Sequence, residues 1–362
     1  MEANKHTYAA AAIALLQKLI AAPSFSKEED TTAFILFDYL EQNGVMPNRH
    51  LNNVWAANKN FDPAKPTILL NSHHDTVKPN AGYTLDPYDP IIQDGKLYGL
   101  GSNDAGASLV SLLHVFLHYY NTSNLSYNLI YAGTAEEEIS GKHGIESLVP
   151  QLPTIDCAII GEPTRMQLAV AERGLMVLDV VVLGVAGHAA RGEGQNAIYH
   201  ALPVIDVFKN YVFSKSSELL GPVQQTVTVI ETSNKAHNIV PPDCKLVVDV
   251  RVNERYTFEQ IVEELNAQIN NAAVTVTPRS TRLKSSAIAL DHPLVKAGMA
   301  IGSKPYGSPT TSDKALVSFP ALKMGPGDSA RSHSADEFVF VEEIENGIQK
   351  YIELLDQVLL KK

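Results

Sequence analysis

Apolar residues recur along this chain with two different periods, and the changes of period mark its parts. Ile13, Leu16, Leu19 and Ile20 repeat at helical spacing and predict an amphipathic helix over residues 7–20. Ser26-Lys27-Glu28-Glu29 reads as a cap and first turn for a second helix reaching about Asn43. Short apolar runs follow at Val54 to Asn58, Ile68 to Ser72, Tyr127 to Ala132, Cys157 to Ile160 and Ala321 to Met324, and these read as strands. Asp94-Gly95 signals a hairpin before a short strand at Lys96 to Gly99, and a helix fits about Ala105 to Tyr120.

The character changes between about Arg173 and Ser285. Met176 to Gly184 is a valine-rich strand and Asn196 to Phe213 a helix. Gln225 to Thr232 and Lys245 to Val252 alternate like paired strands, Phe258 to Ile269 is helical, and Ala273 to Thr277 is a last strand. The order β-α-β-β-α-β is the split, ferredoxin-like pattern. The expected architecture is therefore α/β, with residues 1–172 and 286–362 forming one mixed-sheet domain. Residues 173–285 form an α+β, ferredoxin-like domain inserted into it.

A length of 362 residues exceeds what one core usually serves, which agrees with two domains. The formal net charge of -11 makes nucleic acid and anionic membranes poor partners and suits a soluble cytoplasmic protein. Cys157 and Cys244 lie far apart in apolar surroundings and read as buried free thiols. No stretch has the length of a membrane span. Tyr8 to Leu16 imitates a short signal core, but the helical spacing and the lone nearby Lys5 favour an ordinary first helix.

Ligand-type side chains follow strand after strand. His73, His74 and Asp75 come after the first buried strand, Asp104 after a Gly-rich turn, and Glu136 to Glu138, Glu162 and His333 after later ones. A side chain just past a strand lies at the carboxyl edge of the sheet, where open α/β folds bind ligands. Gly99-Leu100-Gly101 lacks the third glycine of a dinucleotide fingerprint and the lysine of a P-loop, so it reads as a tight turn delivering Asp104. Two divalent cations sharing one carboxylate would use His73, Asp104, Glu138, Glu162 and His333, and imidazole with carboxylate suits catalytic zinc. Such a pair, about 3.5–4 Å apart, can activate a water and polarise a carbonyl. Glu137, beside Glu138, is placed to act as base, and Asp75 to orient the His73 imidazole. His74 points to the other face of an extended segment and reads as structural. His114 and His118 read as a packed or exposed pair, Asp313 as a helix cap, and Glu342, Glu343 and Glu345 as a solvated face.

In order along the chain stand His73-x-Asp75-Thr76, Gly101-Ser102-Asn103-Asp104, Thr134-Ala135-Glu136-Glu137-Glu138, Gly161-Glu162-Pro163-Thr164, Gly187-His188-Ala189 and His333-Ser334-Ala335-Asp336-Glu337. Together they resemble the M20 metallopeptidase family, which includes acetylornithine deacetylase, succinyl-diaminopimelate desuccinylase, aminoacylase and glutamate-releasing carboxypeptidases. The resemblance implies a zinc-peptidase catalytic domain with an inserted lid and dimerisation domain. It implies one zinc on His73, Asp104 and Glu162 and another on Asp104, Glu138 and His333, with cobalt a possible substitute and Asp104 bridging. It makes Glu137 the general acid/base and has His188 reach the active site of a partner subunit in a homodimer. Asn238, Arg251 and Thr311 match positions that contact substrate, and Arg251 suits a substrate carboxylate. The sequence departs from the common pattern at Asp104-Ala105-Gly106, where a lysine often follows, at Glu136 in place of aspartate, and at Ser72 in place of glycine.

Gly325-Pro326-Gly327-Asp328 is similar to the acylornithine, acylcitrulline and acyl-lysine deacylase branch. The expected activity is removal of an acetyl or succinyl group from an N-acyl amino acid such as N-acetylornithine, in arginine biosynthesis. The alternatives are a succinyl-diaminopimelate desuccinylase, a dipeptidase or carboxypeptidase of the same family, and a catalytically silent metal-binding homologue.

Overall fold

The computed structural model describes residues 2–360, with side chains from Tyr8 onward. The chain divides into two compact bodies, one of Met1–Val170, Ala287–Tyr306 and Ser312–Lys362, the other of Ala171–Ser286 with Gly307–Thr311. The second body thus takes in a short segment that the sequence reading left in the first. The reason is tertiary: Thr311 Oγ1 donates to the Arg173 carbonyl at 3.3 Å, and Gly307 lies so close to Leu219 that a Cβ would come within 2.3 Å of its carbonyl oxygen.

The sheet of the first body runs in the order Asn48–His50, Asn53–Ala57, Asn128–Thr134, Thr67–His73, Cys157–Ile160, Ala321–Lys323, Leu168–Glu172. Its centre is parallel: Thr67–His73 lies between Asn128–Thr134 and Cys157–Ile160, and Ala321–Lys323 continues in the same sense. Every residue of Thr67–His73 and of Asn128–Thr134 is buried, as expected for strands covered on both faces. Ile68 and Leu70 pack among the helices Asp30–Gln42, Ala107–Tyr119 and Val341–Leu359, while Leu69, Ile130 and Ile160 face Ile145 and Leu148 on the other side. Parallel strands end at the same edge, so whatever follows each of them is gathered there.

Asp104 arrives differently. Lys96–Tyr98 pairs with Ile92–Gln93 and Phe338–Phe340 in a separate small sheet. Asp94 (φ 51°) and Gly95 (φ 73°) make the expected hairpin turn. The turn Ser102–Gly106 then breaks from helical geometry at Asp104 and Ala105, and the helix starts only at Ala107.

In the second body the elements follow the predicted order. Its antiparallel sheet runs Gln224–Glu231, Asp243–Val252, Gly174–Leu183, Val274–Pro278, and the helices Ala197–Asn210 and Phe258–Ile269 cover it. Cys157 and Cys244 are buried free thiols. Among the described residues no helix is long and apolar enough to cross a membrane.

Candidate metal centre and active site

His73 closes its strand, and its ring is almost wholly buried. Nδ1 lies 3.0 Å from the Asp75 carbonyl oxygen, which can only accept, so the proton belongs on Nδ1. Nε2 is buried without a hydrogen-bond partner. It faces Asp104 Oδ1 at 3.4 Å, Glu162 Oε1 at 3.8 Å and Glu137 Oε2 at 3.9 Å. These are long for hydrogen bonds. The Asp104 distance matches two ligands of one ion, since atoms about 2.0–2.1 Å from a tetrahedral cation stand about 3.4 Å apart, and the Glu162 distance is somewhat longer.

Asp104 turns its other oxygen, Oδ2, to His333 Nε2 at 3.6 Å, so its carboxylate lies between the two imidazoles. His333 Nε2 is also 3.0 Å from Glu138 Oε2. Ligand atoms of His73, Asp104 and Glu138 lie within 4.8 Å of one another, as do those of His73, Glu137 and Glu162. The fold thus brings together all five candidate ligands and Glu137. A divalent cation fits this donor set of imidazoles and carboxylates.

The electrostatics agree. Burial lifts Glu137 well above the usual carboxylate range; His73 pulls against this, while Glu162, Asp313 and Glu138 add to it. Burial opposes a charge on His73, yet Asp104, Asp75, Glu137 and Glu162 lift its pKa well above the usual imidazole value. Hydrogen bonding to Glu138, ahead of opposing burial, raises His333 to about 9. Negative charge crowded into a buried site favours protonation unless positive charge is supplied.

Other motif residues hold this arrangement. Asp75 serves His73 chiefly through its backbone carbonyl; its own Oδ1 is 3.5 Å from Nδ1. The carboxylate instead accepts from Glu137 N (3.0 Å), Glu138 N (3.1 Å) and Ser26 Oγ (2.7 Å), which aims the segment carrying the proposed base. Ser26 and Glu29 were expected to start a helix. The helix Asp30–Gln42 does follow, with Glu29 at its N-cap position, but neither side chain caps it; the Glu29 carboxylate accepts from Lys27 N, Glu136 N and Asn52 Nδ2. Asn103 and Asp328 exchange two bonds, Asp328 N to Asn103 Oδ1 (2.9 Å) and Asn103 Nδ2 to the Asp328 carbonyl (3.1 Å). Thr164 N donates to the Gly325 carbonyl, and Gly325 N donates to Thr164 Oγ1.

Three residues sequence reasoning passed over or misread belong here. Glu337 Oε1 accepts from both Asn103 N and Asp104 N at 2.9 Å; it stood in a quoted motif, but nothing local marked it as a clamp. Asp313 is no cap: Ser312 caps that turn, and the Asp313 carboxylate turns into the core. Glu343, expected on a solvated face, binds Arg331 through both oxygens at 2.6 and 2.8 Å. His74 is structural as expected. It lies 2.9 Å from both Thr32 Oγ1 and the Asn52 carbonyl, and burial lowers its pKa to about 4. His114 is buried against Tyr39.

The remaining candidates lie in the second body. Gly187–His188 pairs with Ile239–Val240, and Ala189 N donates to the Asn238 carbonyl, so His188 and Asn238 are neighbours. His188 is exposed, and its Nδ1 accepts from Ala190 N at 3.2 Å, which leaves Nε2 carrying a proton outward. Arg251 is engaged with Asp249 through two bonds of 2.8 and 3.1 Å. Thr311 is tied to the carbonyl of Arg173.

Comparison with known proteins adds to this geometry. Residues 69–357 match the model of Peptidase family M20/M25/M40. A succinyl-diaminopimelate desuccinylase of Stenotrophomonas maltophilia is 25% identical, covering 97% of this chain and 100% of that protein. One of Blochmanniella floridana is 28% identical over 73% of this chain and 74% of that protein. Aminopeptidase PepT of Bacillus cereus shares the fold at TM-score 0.77 and 17% identity, covering 96% of this chain and 98% of its own. The Bacillus subtilis YXEP protein, a dinuclear metal-binding peptidase, does so at TM-score 0.75 and 15% identity, covering 98% and 99%.

Proposed function

The chain belongs to peptidase family M20/M25/M40, whose members are metal-dependent amide hydrolases, and on that premise we propose that it removes the acyl group from an N-succinyl amino acid. The buried, unpartnered Nε2 of His73 facing three carboxylates carries this reading, because that arrangement calls for a cation. Two zinc ions are the proposed occupants, one on His73, Asp104 and Glu162, the other on Asp104, Glu138 and His333. Bound there, they supply Lewis acidity that polarises the amide carbonyl and makes a water more acidic. Glu137 takes the water proton and returns it to the leaving amine. Asp75 keeps the His73 ring and the Glu137 backbone in place.

His188, with its Nε2–H outward, is the proposed donor to the oxyanion in the active site of a second copy, which makes a homodimer the working unit. Asn238, Arg251 and Thr311 are the proposed substrate contacts, with Arg251 exchanging Asp249 for a substrate carboxylate. The names of the curated relatives support succinyl as the acyl group. The Gly325-Pro326-Gly327-Asp328 turn supports a second reading, an acetylated ornithine, citrulline or lysine.

A panel of succinyl and acetyl derivatives of diaminopimelate, ornithine, citrulline and lysine, with zinc or cobalt added, separates the two. Succinate should be released with a kcat/KM at least about tenfold above the matching acetyl compound, roughly the worth of one lost polar contact. Faster acetate release selects the second reading. Cleavage of free dipeptides alone would make the protein a peptidase, and bound metal without any turnover a silent homologue. Glu137→Gln should retain metal and lose about 10²–10⁴-fold in kcat.

A further inference from the structure

Asp313 is a buried carboxylate that the proposed chemistry does not use, only 2% exposed and absent from both groups of ligand atoms. Its Oδ2 accepts from Asn71 Nδ2 at 3.0 Å and from Thr134 Oγ1 at 2.9 Å. Asn71 lies two residues before His73 on Thr67–His73, and Thr134 ends Asn128–Thr134, three residues before Glu137. The two strands are parallel neighbours, with His73 opposite Thr134. The Asn71 carbonyl also accepts from Gly161 N at 2.6 Å, immediately before Glu162. One oxygen therefore ties together the ends of the strands that deliver His73 and Glu138, and through Asn71 it reaches the segment that delivers Glu162.

We propose that Asp313 is a positioning residue of the metal centre: its Oδ2 is the shared acceptor that sets the strand ends at the separation the ligands need. This rests on the reading of the cluster as a metal site. The backbone ladder fixes the distance between strands but not the direction in which each chain leaves the sheet. One acceptor shared by both donors couples the two chains, and the donors stand two residues before His73 and four before Glu138. A ligand misplaced by a fraction of an ångström binds its cation poorly, and residues that orient ligands affect metal affinity about 10–100-fold.

The test is zinc affinity by competition with a chromophoric chelator, with the visible spectrum of the cobalt-loaded protein beside it, for wild type, Asp313→Ala, Asp313→Asn and Thr134→Val. Asp313→Ala should loosen zinc about 10–100-fold and alter the cobalt spectrum. Asp313→Asn keeps an oxygen able to accept both bonds and should stay within about threefold of wild type. Thr134→Val, which removes one donor, should fall between them and serves if Asp313→Ala does not fold. A folded Asp313→Ala or Thr134→Val protein with wild-type affinity overturns the proposal, since a merely structural residue would lower Tm alone. Equal loss in Asp313→Ala and Asp313→Asn also overturns it, because charge and not the shared acceptor would then matter. A wild type that binds no zinc removes the premise and the proposal together. A wild type that binds zinc yet cleaves no N-acyl amino acid refutes the activity and leaves these binding outcomes decisive.

Discussion

Glu337 shows how much one buried side chain can hold. Its Oε1 receives both Asn103 N and Asp104 N, and so presents the aspartate whose two oxygens face His73 and His333. Burial and the nearby Asp104 charge lift its pKa to about 8, against the pull of those backbone donors. Glu337→Ala leaves two backbone amides without their acceptor. It should cost about 1–3 kcal/mol by urea unfolding, while Glu337→Gln, which keeps an oxygen acceptor, should cost less. Equal stability of the alanine variant and wild type would mean that water replaces the carboxylate at no cost.

At the scale of elements, the site depends on how closely the helix Ala107–Tyr119 lies on the sheet. Gly161, between the strand Cys157–Ile160 and Glu162, shows this: a Cβ there would stand 2.7 Å from Leu112 Cδ1, 3.0 Å from Ser108 Cβ and 3.1 Å from Ser72 Cβ. Leu112 and Ser108 are themselves buried, so they have little room to yield. Gly161→Ala should lower stability by roughly 1–3 kcal/mol in thermal or urea unfolding, the usual cost of overpacking. It should also weaken zinc binding by moving Glu162. An unchanged Tm would show that this packing gives way freely.

At the scale of the whole molecule, the second body carries apolar surface that a lone subunit leaves in water. Tyr199 and Leu202 on Ala197–Asn210 are exposed, as are Val229 and Ile230 on Gln224–Glu231, an outer strand of its sheet. Edges of this kind pair readily with another chain. If the proposed homodimer forms through them, Ile230→Lys should sediment as a monomer, with turnover reduced because His188 then has no partner site. A variant that is monomeric and fully active would exclude a role for His188 across subunits.

Periodicity was enough to mark Thr67–His73, Asn128–Thr134, Cys157–Ile160 and Ala321–Lys323, because an apolar run is a property of neighbouring residues, whereas Asn48–His50 and Leu168–Glu172 of the same sheet were not read. Apolar runs mark buried parallel strands, and a residue just past such a strand is bound to reach the sheet edge. The local code could not say which polar residues would be clamps. Asp313 looked like a cap, yet it bonds to Asn71 and Thr134, 242 and 179 positions away in the chain. Ser26 to Glu29 lead into the helix Asp30–Gln42 as expected, but the side chains of Ser26 and Glu29 bond to Asp75 and to Glu136 N and not to the helix's first turn. Thr311 belongs with the second body for the same reason, through its bond to the Arg173 carbonyl 138 positions away. A side chain's type and spacing limit the bonds it can make, but its partner is set by which distant segments the packed core brings within about 3 Å.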